Sequence, residues 1–120
     1  MLTPLGKVLR SLRMDRGWLL KDMADGAGVS SAFLSAVETG RKQSPADLIE
    51  RIIEWGNLSE EEIKSIDSAY AKTARDFRIN VPANMSSGDR EAAALLARTF
   101  GNLPSDEIAA IREIIERRKS

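Results

Sequence analysis

The 120-residue sequence predicts an all-α fold whose one exception is a short strand near residues 77–81. Two patterns carry that prediction. Apolar residues return at steps of three and four along most of the chain, which keeps them on one face of a helix. Several of the stretches so marked begin at Ser or acidic residues and end at Gly, the residues that cap helix starts and terminate helix ends. Alternation, the mark of a strand, is confined to Phe77, Ile79 and Val81.

The most telling stretch is Met23 to Gly40, MADGAGVSSAFLSAVETG. Two helices joined at roughly 90 to 120° by a turn of three or four residues need small residues at the crossing and a Gly in the turn. Ala24 is small where the helices would approach, and Gly28 can take the positive φ of such a turn. Val29, Leu34 and Val37 then make the apolar stripe of a second helix, capped by Ser30 and ended by Gly40. Its outer face reads Ser31, Ala32, Ser35, Ala36 and Thr39, with Phe33 between that face and the core.

Downstream, Leu48, Ile52 and Trp55 step along a helix followed by Gly56. Trp55 and Trp18 read as packing residues rather than base-stacking ones. A further helix starts at Glu60: Ser59 and Glu62 form a capping box, Leu58 and Ile63 a hydrophobic staple, and the acidic first turn suits the helix dipole. It is expected to run to about Ala74. Phe77 to Val81 then reads as an edge strand before Pro82, which needs a partner strand, for instance its twofold mate in a dimer. After a polar turn over Ala83 to Gly88 come helices at about Asp89 to Phe100 and Ser105 to Arg118, with Leu96, Phe100, Ile108, Ile111 and Ile115 among their apolar steps. This C-terminal helical hairpin is too small to form a core alone. It should dock on the preceding domain, on its own copy or on another protein. Its connection, GNLPSDEIAAI, matches GNLSEEEIKSI of residues 56–66 at six of eleven positions, which reads as the same helix stop and start used twice.

Residues about 5 to 58 resemble the Xre/Cro family of helix-turn-helix DNA-binding domains. The resemblance is carried by Leu9-Arg10, Leu12-Arg13, Gly17, Ala24, Gly28-Val29, Leu34-Ser35, Glu38, Gly40-Arg41 and Pro45. It implies five helices, a recognition helix over about 31–39, and a structural ion pair between Arg13 and Glu38. It also implies DNA contacts from Ser30, Ser31, Ala32, Phe33, Ser35, Ala36 and Thr39, and from Arg41, Lys42 and Gln43 in the loop that follows. Where relatives often cap the second helix with Thr or Ser followed by a DNA-contacting Gln, this chain has Leu19 and Leu20. The outer face lacks the Gln, Arg, Asn and Lys side chains that bond purine edges in pairs, so readout is expected from single hydroxyl bonds, thymine-methyl contacts and DNA shape.

Composition bounds the alternatives. The chain has neither Cys nor His, which removes disulfides, thiolate catalysis and the common zinc sites. No enzyme, cofactor or metal is expected. The longest apolar run, Ala92 to Ala97, is far short of a membrane span, so a cytoplasmic protein is expected. Net charge is zero but unevenly placed: up to Pro45 there are seven basic residues against four acidic, and from Ala46 to Asn80 five against eight. The expected organisation is a DNA-binding domain over 1–75 and an extension over 76–120. Phe77, Ile79, Val81, Leu96, Phe100, Ile108, Ile111 and Ile115 would serve dimerisation or partner binding. The expected partners are double-stranded DNA and a second copy of the chain, or, in an antitoxin-like alternative, a toxin or other regulatory protein.

Overall fold

A computed structural model describes residues 1–45 and 47–118. Its helices are α1 (Pro4–Arg16), α2 (Leu20–Gly26), α3 (Ser31–Glu38), α4 (Leu48–Gly56), α5 (Glu60–Thr73), α6 (Ser87–Thr99) and α7 (Ser105–Arg117), with a short 3-10 turn at Phe100–Asn102 after α6. The chain is all-α, as predicted, and among the described residues no strand forms.

Local chemistry explains most boundaries. Thr3 caps α1 by accepting the Gly6 amide at 3.0 Å, Pro4 supplies the preset φ of a first turn, and Gly17 ends the helix in the left-handed region. Ser30 accepts the Phe33 amide at the start of α3. The capping box read at Ser59 is formed in both directions, Glu62 N–H to the Ser59 hydroxyl and Ser59 N–H to the Glu62 carboxylate. In the turn between α2 and α3, Gly28 takes φ +71° and the Val29 amide returns to the Ala24 carbonyl at 3.0 Å. An L side chain at position 28 would be strained there.

Three sequence expectations need correction. Phe77 to Val81 is not a strand: alternation supplies the propensity, but the chain offers no second strand to take the ladder bonds, and Phe77 instead stands edge-on to Tyr70 with centroids 5.6 Å apart. Gly56 does not terminate α4 but is its buried last residue, and Asn57 takes the left-handed conformation at φ 49°. The second GNL segment does not repeat this device. Residues 100–102 tighten into the 3-10 turn, and α7 begins from Pro104 with no side-chain cap.

The chain divides into two compact units, Met1–Arg78 and the residues from Ile79 on. The first has a continuous core of Leu5, Leu9 and Leu12 from α1, Met23 and Ala24 from α2, Leu34 and Val37 from α3, Leu48, Ile49 and Ile52 from α4, and Ile66 from α5. Within it α1 packs along α5 and α3, and α2 packs on α3 and α4. Gly6 makes the α1–α3 approach possible, since a Cβ there would fall 2.2 Å from the Glu38 carbonyl oxygen. In the second unit no residue of α6 or α7 is buried. Among the described residues no helix is long and apolar enough to cross a membrane.

Candidate nucleic-acid interface

The site is built on α3, which is held from the α1 side at its C-terminal end. The Thr3 amide and hydroxyl both donate to the Glu38 carbonyl, at 2.9 and 3.1 Å. The Arg13 guanidinium meets the Glu38 carboxylate with two bonds, Nη2 to Oε1 at 2.9 Å and Nη1 to Oε2, and Nη1 also reaches the Met23 sulfur. Both residues are nearly closed to solvent, Arg13 at 8% and Glu38 at 4% exposure. A bidentate pair with matched geometry offsets the desolvation of each charge, and among the described residues no buried side-chain polar atom lacks a partner. Glu38 therefore presents no bare carboxylate on this side of the molecule.

The outward positions of α3 divide into three kinds. Ala32 is exposed, while Ser31 and Ser35 are partly exposed with hydroxyls that have no protein hydrogen bond among the described residues. Phe33 packs against the core, and the Ser30 hydroxyl is engaged as the helix cap. The Thr39 hydroxyl donates to the Ser35 and Ala36 carbonyls and accepts from Arg41 Nε. Ala36 departs from the reading of an outer residue, being only 9% exposed. The chain doubles back after Thr39, and the Arg41 and Lys42 amides both bond to the Ala36 carbonyl, at 2.9 and 3.1 Å. The surface available for touching a base is thus shorter than the helical wheel implies.

Around this strip the cations separate by use. Arg13 is consumed by Glu38, and Arg16 by Glu62, the Gly56 carbonyl and the face of Trp18. Glu62 is held below the usual carboxylate range, first by its bond from Arg16 and then by the Ser59 amide. Lys7, Arg10, Lys21, Arg41 and Lys42 are exposed and have no ion-pair partner among the described residues. Arg10 lines an open cleft of about 440 Å³ together with Met14, Leu20, Ser35 and Thr39, so it stands beside α3. Arg10 entered the sequence reading only with Leu9, as part of the family resemblance and not as a DNA contact; its place beside α3 follows from how α1 crosses α3. Lys42 and Gln43 border a second cleft of about 240 Å³ with Arg75 at the end of α5.

Two features at this surface are apolar. Leu19, at the start of α2, is 69% exposed, and the helix opens with the Asp22 carboxylate on the Leu19 amide in place of a capping hydroxyl. The Trp18 and Trp55 rings lie 4.5 Å apart and tilted by 51°; Trp18 packs against the core as the sequence predicted, whereas Trp55, expected to do the same, packs on Trp18 and stays 38% exposed. The residues assigned to dimer or partner contacts fall on both units: Phe77 belongs to the first, and Ile79, Val81, Leu96, Phe100, Ile108, Ile111 and Ile115 to the second. Of these Phe77, Ile79, Phe100 and Ile115 are exposed and the others partly so.

Comparison with known proteins agrees with this architecture. The transcriptional regulator ClgR of Mycobacterium tuberculosis, in strains CDC 1551 and H37Rv, is 42% identical over 48 residues, which is 40% of this chain and 43% of the relative. The chain thus matches less than half the length of these curated relatives. No solved structure matches it. A family described as helix-turn-helix domain matches residues 4–70, which include all of α1 to α4 and most of α5. With more than half of its length matched, the chain belongs to the helix-turn-helix domain family.

Proposed function

We propose that this chain is a transcriptional regulator that binds double-stranded DNA as a homodimer, with α3 as the recognition helix in the major groove. It acts in the cytoplasm, most simply as a repressor that occludes a promoter at a palindromic operator. The observation that carries the reading is the composition of one surface: an uncharged strip of Ser31, Ala32 and Ser35, with Glu38 neutralised from within and Arg10, Arg41 and Lys42 at its margins. Such a strip can enter the groove without repelling phosphates, and the cations can hold the backbone. The name of the relatives, transcriptional regulator, supports the same role. Direct base readout is modest, so half-site spacing and DNA shape supply much of the specificity.

The test is selection of bound duplexes from a random pool, followed by affinity against salt. If Arg10, Lys21, Arg41 and Lys42 each meet a phosphate, log affinity falls with log salt at a slope of roughly −3.6 per bound chain. Ser31→Glu and Ser35→Glu should each abolish specific binding while leaving helicity unchanged. Absence of salt-dependent duplex binding would sink the reading. The exposed Ile114 and Ile115 favour one second reading, an antitoxin-like protein whose C-terminal unit holds a toxin or another regulatory protein while the first unit regulates its own operon.

A further inference from the structure

We infer that α7 pairs antiparallel with α7 of a second copy, with Glu107 of each chain opposite Arg118 of the other. This rests on the homodimer reading and gives it a surface and an orientation.

α7 leaves part of its apolar face uncovered. Ile108, Ile111, Ile114 and Ile115 recur at steps of three and four, so they form one stripe along a helix of 13 residues. Ile114 and Ile115 are 53% and 55% exposed, whereas Ile108 and Ile111 are more covered and keep only an intermediate exposure. The same spacing extends the stripe by one residue at each end, to Glu107 near the start and Arg118 just past the end, both exposed. The stripe is therefore acidic at one end, apolar through the middle and basic at the other. Arg112 and Glu116 pair with each other at 3.0 Å outside the stripe.

A surface with this order is complementary to itself only head to tail. Antiparallel, Glu107 approaches Arg118 of the partner chain at both ends, Ile108 lies near Ile115 of the other copy, and Ile111 near Ile114 of the other copy. Parallel and in register, acid would face acid and base would face base, which disfavours that pairing as edge charges do in coiled coils. The occupant is thus a second copy of this chain, chosen by charge order as well as apolarity. A helix of this length spans only about 20 Å, so one stripe along it is too short to bury by itself the roughly 600 Å² or more per partner of a stable interface. Leu95 and Phe100 of the same unit, 51% and 45% exposed, supply further apolar surface. A pair built this way has a twofold axis, the symmetry an inverted-repeat site demands.

The experiment is sedimentation equilibrium of the full chain and three variants, with helicity followed by circular dichroism. The unsubstituted chain should dimerise. Glu107→Lys and Arg118→Glu should each weaken dimerisation by about tenfold, since each turns two attractions into two repulsions. The double variant, Glu107→Lys with Arg118→Glu, should restore it, because the opposed pair is re-formed with the signs exchanged. A monomeric unsubstituted chain, single variants that associate as tightly as the original, or a double variant no better than the singles would each overturn the pairing. Binding to a single half-site duplex is measured in parallel. Half-site binding without dimerisation removes this inference and the homodimer part of the proposed function while leaving DNA binding; single variants that dimerise like the original remove this inference alone; and dimerisation without duplex binding removes the DNA reading and leaves the pairing intact.

Discussion

The two units are built from similar helices and differ in what those helices find to pack against. α1 to α5 of the first surround one core and bury side chains from every helix. α6 and α7 have comparable lengths and comparable apolar stripes, yet bury no residue. The contrast shows that amphipathic periodicity is a requirement that something cover the stripe, and says nothing of what covers it. In the first unit the covering elements follow within the same 78 residues. In the second, Leu95, Phe100, Ile114 and Ile115 stay about half exposed, and the proposed cover is another copy.

Substitutions test that contrast. The largest effect is expected from Arg13→Ala, which strands the Glu38 carboxylate in the interior. It should cost about 3–5 kcal/mol of unfolding free energy, read by denaturant titration, and a loss below 1 kcal/mol would mean the pair is not integral to the core. Gly6→Ala comes next, at about 1–3 kcal/mol, because the added methyl meets the Glu38 backbone oxygen and not a movable side-chain tip. Ile115→Ser should fall within roughly 0.5 kcal/mol in the unfolding of the first unit while lowering self-association, the reverse of Gly6→Ala. A large drop in first-unit stability would erase the distinction between the units.

The smallest effect concerns pH. Glu62 has its carboxyl held below its ordinary value of 4.5, mainly by Arg16. A depressed folded-state pKa means the contribution is complete above that ordinary value and is lost as pH falls through the lower, folded one. Acid titration of stability should therefore be slightly shallower in Arg16→Gln than in the original chain, and the difference should shrink in high salt. Equal acid sensitivity in both proteins would show the pair to be inconsequential.

What the sequence made legible was local. The Ser30 cap, the Ser59–Glu62 box and the Leu34–Val37 stripe each depend on residues within a few positions, and each formed. Features that depend on distant chain were missed or misread. Ala36 sits outward on a helical wheel, yet it is nearly closed to solvent beside a loop whose Arg41 and Lys42 amides return to its carbonyl. Phe77 to Val81 has the alternation of a strand without the neighbour a strand requires. Arg10 takes its position beside Ser35 and Thr39 from the crossing of α1 and α3, which no spacing within α1 alone specifies.

The clamp on α3 has a consequence for damaged chains. Eight residues make little more than two turns, too few to persist as a helix by themselves. α3 holds its shape because Thr3 and Arg13, at opposite ends of α1, grip its last residue. A chain cleaved between Thr3 and Arg13 carries the two holds on separate pieces, and its eight-residue surface should lose order. Under the proposed function such a cut should remove duplex binding together with the helicity of α3.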